Sequence, residues 1–257
     1  MKFSDCGIII DLKKYGEKSL IAKIFSENHG VSRGFVKFAN SKKFTNIFQI
    51  GNLVSFEHHA RDEDSLGGFS NIDLIDNNCA KFIFDKLRTN CAKSIISIVN
   101  DHFLEIENFN LLFNKLAIFL QNLGDEKITN SQIIANYIKL ELLILEGLGY
   151  GIDFSCCVVS NSKINLAFVS PKSAHAVSYE AGLPYASKLL KLPPFLNLEF
   201  ANQENNDEFL VDYHLVDGLN LSGYFLNKYL FIDSKKNNFS SNFYRENILK
   251  IVHQNIA

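Results

Sequence analysis

The sequence predicts an α+β protein: a small β-barrel followed by an all-helical domain. Three observations carry this. Over the first 75 residues or so, short β-branched and aromatic runs alternate with turns built on Gly and Asn. From residue 80 onward the apolar spacing changes from every second residue to every third or fourth. The charge is also unevenly shared. Residues 1–43 hold nine Lys/Arg against four Asp/Glu, in a 257-residue chain whose net charge is −2, so the remainder is acidic.

Gly7 to Leu12 reads as a buried strand because its Ile run is uninterrupted. Tyr15-Gly16-Glu17-Lys18 is a turn. Ser19 to Ser26 is a second strand, with Leu20, Ala22 and Ile24 on one face. Asn28-His29-Gly30 is a hairpin signal, since Asn and Gly tolerate positive φ. Val31 to Phe38 returns as a third strand. Val54 to His58 is a fourth, with Val54 and Phe56 on the same side. Gly67-Gly68 is expected to break the chain before a last strand from Phe69 to Leu74. Five short strands that meander and then close suggest an OB-fold β-barrel.

Helical spacing then begins. Phe84, Leu87, Cys91, Ile95 and Ile98 form one apolar stripe, and Leu112, Leu116, Phe119 and Leu123 form another. Thr129 and Gln132 make a capping box ahead of Ile134, Ile138, Glu141 and Leu145. Gly147-Leu148-Gly149-Tyr150-Gly151 ends that helix with glycine at the C-cap. Residues 152–182 are irregular, with a strand-like patch at Leu166 to Ser170, and four prolines punctuate the stretch from Pro171 to Pro194. Leu196 to Asp217 carries six Asp/Glu and no Lys or Arg, and its Asn/Glu/Asp cluster at 202–208 reads as a loop. Leu219 to Phe231 and Phe243 to Val252 read as closing helices. The expected domains are 1–79, the barrel, and 80–257, helical with an irregular insert at about 152–182.

Composition narrows the function classes. A hydrophobic share of 47% with 21% charged residues excludes wholesale disorder. Five irregularly spaced cysteines suit free thiols in a reducing compartment better than a disulfide framework. The apolar run Ile8 to Ile10 is too short for a signal peptide, and no stretch approaches the ~20 apolar residues a bilayer span needs. A cytoplasmic protein is expected.

The basic set Lys13, Lys14, Lys18, Arg33, Lys37, Lys42 and Lys43 fits a phosphate-tracking surface, because each neutralised phosphate releases counterions. Phe35, Phe38 and Tyr15 are candidates for base stacking, and Phe35 leads because strand alternation places it beside Arg33 and Lys37. A solvated barrel surface with those aromatics in the core is the bland alternative. His58-His59 cannot bind one ion, since adjacent strand residues point to opposite faces. The GLGYG run follows a helix and reads as a cap, not a phosphate cradle. No GxxxxGK[ST] occurs, and Ser173 and His175 lack a nucleophile-elbow context. No enzymatic activity is expected.

Three segments together resemble the RecO family of bacterial recombinational repair proteins. They are Tyr15-Gly16-Glu17-Lys18-Ser19-Leu20 with His29-Gly30 and the basic run to Lys43; Glu141-Leu142-Leu143 through Leu148-Gly149-Tyr150-Gly151-Ile152-Asp153-Phe154 to Cys157; and Phe168 to Ser173 with Ala176 to Gly182 and Leu192-Pro193-Pro194-Phe195-Leu196. The resemblance implies an N-terminal OB barrel, a helical bundle, and a zinc-finger-like insert closed by C-terminal helices. It implies binding of single- and double-stranded DNA and annealing of complementary strands. It also implies work with RecR, and in some bacteria RecF, to load RecA onto DNA coated by single-strand binding protein (SSB), whose acidic C-terminal tail would dock on the helical body.

Two departures stand out. Many relatives carry four zinc-binding cysteines in the insert, whereas here Cys157 is followed by Ser160, Ser178 and Ala181 at the other three places. One ligand cannot hold tetrahedral Zn²⁺, so a degenerate insert without metal is expected, packed on Phe154, Ile164, Leu166 and Phe168. The loop after the third strand offers Lys37, Lys42 and Lys43 but none of the family's usual arginines. The expected function is a DNA-binding recombination mediator. The alternative is a helical scaffold that docks RecR and SSB and binds DNA only weakly.

Overall fold

The computed structural model describes residues 2–37, 45–61, 65–103, 109–197, 210–231 and 240–256. The chain forms two compact units, Met1–Glu126 and Lys127–Ala257. Among the described residues, no helix is long and apolar enough to cross a membrane.

The first unit opens with five strands: β1 (Lys2–Tyr15), β2 (Ser19–Ser26), β3 (Gly30–Val36), β4 (Leu53–His59) and β5 (Gly67–Asp76). They close into a barrel in the order β1-β2-β3-β5-β4. β1 is far longer than Gly7 to Leu12. Its first half, Lys2 to Ile8, pairs with β4, and its second half, Gly7 to Tyr15, pairs with β2. One strand therefore turns the barrel's corner. A bulge between Ile9 and Asp11 bends it there and resets the alternation. Gly7, just before the bulge, pairs with both Ser26 and Val54, and a Cβ there would collide with Ile24 Cγ2.

The barrel core gathers Ile9, Ala22, Ile24, Val36, Val54, Phe56, Phe69 and Ile72. The unbroken Ile8-Ile9-Ile10 run is explained by burial on both faces. Ile9 points into the core, whereas Ile8 pairs in register with Phe25, whose ring meets Phe113 at 5.7 Å outside the barrel. The helices that cover this side are α1 (Asn78–Phe82), α2 (Lys86–His102) and α3 (Asn110–Asn122). Gly67 and Gly68 do not break the chain but lie within β5. A Cβ on Gly67 would stand 2.2 Å from His58 Nε2, so the bare backbone is what admits the buried imidazole. Phe84 leaves its expected helical stripe and is 99% exposed. Asp85 caps α2 by accepting from the Arg88 amide, so the helix begins just after Phe84.

The second unit is built on α4 (Asn130–Gly147), whose capping box is reciprocal: Gln132 N–H donates to Thr129 Oγ1, and Thr129 N–H to Gln132 Oε1. Gly149 takes φ +83° after its C-cap. The insert is a small antiparallel sheet in the order β7-β6-β8, from β6 (Leu166–Val169), β7 (Ala176–Ser178) and β8 (Leu190–Lys191), with a short α5 (Tyr179–Gly182). Leu166 and Phe168 are buried there as expected, but Ile164 is 65% exposed, and Cys157, Val169, Ala176 and Val177 supply the packing instead. α6 (Asp212–Tyr229) starts well before the expected Leu219, and α7 (Ser240–Ile256) closes the unit.

Inside this unit lies a charged cluster. Arg245 of α7 donates to both carboxylate oxygens of Glu141 on α4, at 2.8 and 3.3 Å, and to Leu219 O and Ser222 Oγ of α6. Glu141 is fully buried and Arg245 nearly so. Burial works against the guanidinium charge, but Glu141 more than offsets it and holds the Arg245 pKa above its ordinary value.

Candidate nucleic-acid interface

Register alone defines the barrel's outward surface. Lys13 of β1 faces Ile21 of β2, Ile21 faces Phe35 of β3, Phe35 faces Gly68 of β5, and Gly68 faces His59 of β4. Directly paired residues share a side, so these five form one row around the outside. The neighbouring row holds Asp11, Lys23 and Arg33. Lys37 follows Phe35 by two and is exposed.

The predicted site residues divide accordingly. Lys13, Arg33 and Phe35 lie on the outward strand face, with Lys37 just beyond it. Lys18 sits in the β1–β2 turn. Lys14 has the opposite parity, in register with Leu20 and, across β2, with Val36; it is exposed only because the strand is ending. Lys42, Lys43 and Phe38 lie outside the described residues.

Phe35 is half-buried and belongs to the outward row, not to the core cluster. Tyr15, 56% exposed, meets it edge-on with ring centroids 4.6 Å apart. Phe35 also borders a shallow, open surface depression with His59, Ala60, Arg61, Ser65, Leu66, Gly67 and Gly68. His58 and His59 do face opposite ways. His58 is buried with Phe3 and Phe69 around it, and His59 is exposed.

Sequence reading missed His59, Arg61 and Gly68 as neighbours of Phe35. The link is the parallel β3–β5 closure, which joins residues more than 30 apart and leaves no local signal. It also missed Lys23, which alternation places beside Arg33. Lys23 reaches α2, where its ammonium donates to Asn100 O at 2.6 Å.

At the end of the barrel, Asp5, Cys6 and Glu27 each bring a ligand-type atom within 4.8 Å of the others. These atoms already serve the β2–β3 hairpin. Asp5 accepts from the Cys6 and Asn28 amides and from Asn28 Nδ2, and it pairs with His29 Nδ1 at 2.6 Å. The Cys6 thiol donates to Glu27 at 3.1 Å. Burial first, then that bond and the adjacent carboxylates, push its pKa up to about 12.

In the insert, Cys157 shows the reverse. Ser160 N–H points at its Sγ from 3.4 Å, and Ser160 Oγ lies 3.5 Å from Ser178 Oγ. Burial opposes ionisation, yet hydrogen bonds from the hydroxyls and amides of Ser160 and Ser178 bring this thiol down to about 6.

Comparison with known proteins bears on both units. Residues 1–78 match the family model "Recombination protein O N terminal", and residues 84–238 match "Recombination protein O C terminal". The chain belongs to the RecO family. It is 39% identical over 232 residues to the "DNA repair protein RecO" of Wolbachia sp. subsp. Drosophila simulans, covering 90% of this chain and 93% of that one. It is 36% identical over 252 residues to the protein of the same name from Ehrlichia chaffeensis, covering 98% of each chain. The Rickettsia bellii protein of that name is 37% identical over 231 residues, 90% of each.

The N-terminal RecO match coincides with the five-stranded barrel. The zinc site that the family resemblance implied can be tested on the Cys157 cluster. Its donors are one thiol and two serine hydroxyls, and position 181 is alanine. Tetrahedral Zn²⁺ takes four strong N, S or carboxylate ligands, so this set does not fit it.

Proposed function

We propose that this protein is a DNA-binding recombination mediator of the RecFOR type, acting in bacterial DNA repair without covalent chemistry. It binds single- and double-stranded DNA, anneals complementary strands and helps load RecA onto SSB-coated single strands. Residues 1–79 form the DNA-binding domain, and residues 80–257, with the insert, form the body that meets RecR, the SSB C-terminal tail and RecF where RecF is used. The setting is cytoplasmic.

Membership of the RecO family supports the repair role. One observation carries the DNA site: an outward aromatic, Phe35, framed by Tyr15 and set among exposed Lys13, Lys18, Arg33 and Lys37. The cations neutralise phosphates, and an aromatic face accepts any base without regard to sequence. Annealing follows from the same physics. With phosphate repulsion reduced, two strands held close pair spontaneously.

Fluorescence anisotropy with labelled single-stranded DNA at two salt concentrations tests the reading. Binding that weakens steeply with salt is expected. Lack of binding at low salt would leave only the scaffold function. Joint reversal of Lys42 and Lys43 to Glu is expected to weaken binding while the melting temperature holds.

A further inference from the structure

The open depression beside Phe35 is bordered by the elements of a slot for one flat ring. β3, β5 and β4 are consecutive in the barrel, and the outward residues at this level are Phe35, Gly68 and His59. Neighbouring strands lie about 4.8 Å apart, so Phe35 and His59 are rooted about 10 Å apart. Between them stands a residue with no side chain. A base held between two rings needs about 7 Å, twice the stacking rise of about 3.4 Å. His59 leans into the gap, since a Cβ on Gly68 would stand 2.9 Å from its Nε2. The exposed His59 ring thus covers Gly68, and the slot opens only when that ring rotates outward, a side-chain motion usual at exposed positions.

Charge orients what enters. On one side are Lys13, Arg33 and Lys37. Glu57, two residues before His59 on the same strand face, is paired with Lys2 at 3.4 Å. A strand lying here keeps its phosphates toward Lys13 and Lys37 and turns a base toward Gly68.

We propose that the Phe35–Gly68–His59 slot is a single-base subsite that admits an unpaired nucleobase and thereby separates single-stranded from duplex DNA. A base within a duplex is stacked and paired on both sides and cannot enter without being pulled out, which costs a few kcal/mol. The phosphate-tracking cations make no such distinction. This deepens the DNA-binding reading and rests on it.

The test uses the full chain, with anisotropy titrations of a single-stranded oligonucleotide and a duplex of equal length. Phe35→Leu keeps apolar bulk, and His59→Ala removes the exposed wall, which guards against a folding artefact at Phe35. For each variant, single-strand affinity is expected to fall about 5- to 100-fold, the range of one base–aromatic stack, with duplex affinity within about twofold. A 2-aminopurine placed in the single strand is expected to lose fluorescence on binding wild type and to keep it with Phe35→Leu. Equal losses for single strand and duplex, or no loss for either, would overturn the slot while leaving DNA binding intact. Wild type that binds neither DNA would instead overturn the underlying DNA reading.

Discussion

Arg33 and Arg245 use the same guanidinium in opposite ways. Arg33 stands exposed on the barrel's outer face, one row from Phe35. Arg245 is drawn into the core of the second unit, where Glu141, Ser222 and Leu219 O satisfy it. The two cysteine environments repeat the lesson. Cys6 faces a carboxylate, which pushes its pKa up, whereas Cys157 faces hydrogen-bond donors, which bring its pKa down. What a polar side chain does here is set by the sign of what surrounds it, and Arg33 sits on a surface while Arg245 is enclosed.

The largest way to break the contrast is Arg245→Ala. It strands a buried Glu141 carboxylate and is expected to cost about 3–5 kcal/mol in urea unfolding. The double replacement Arg245→Met with Glu141→Leu is expected to recover most of that loss, because no charge is then left unpaired. Next comes Gly67→Ala, whose methyl would collide with the His58 ring. About 1–3 kcal/mol of destabilisation is expected, measured the same way.

Arg33→Ala sharpens the contrast from the other side. Stability is expected to hold within about 0.5 kcal/mol, while the log–log salt slope of DNA binding becomes shallower by about one. The smallest signal is spectroscopic. Thiolate absorbance near 240 nm is expected to rise as pH increases through about 6, owing to Cys157, and to shift upward in Ser160→Ala. Cys6, held at about 12, contributes nothing to that step.

Local features were legible in the sequence. Ser19 to Ser26 emerges as β2 with the expected face inward, because alternation and flanking turns are encoded within eight residues. The Thr129–Gln132 box and the glycine cap of α4 were likewise readable, since capping chemistry is local. Features set by distant contacts were not. β1 outruns Gly7 to Leu12 because two different strands hydrogen-bond its two halves. Gly67-Gly68 reads as a break until His58 is known to need the space. Glu141 looked like one member of an apolar stripe, and its partner lies 104 residues away. In the candidate site, Phe35 was found by alternation, but its neighbours across the parallel closure were not.

That closure has a dynamic consequence. Among the described residues, β3 and β5 meet through only two residue pairs, Gly34 with Gly67 and Phe35 with Gly68, and three of the four are glycine. A seam so short, with so little side chain to fasten it, is where the barrel should breathe first. Amide hydrogens at Gly67 and Gly68 are expected to exchange with solvent sooner than those of the β1–β2 ladder. A nucleobase lodged between Phe35 and His59 would act as a rivet across that seam, so DNA should slow exchange there most.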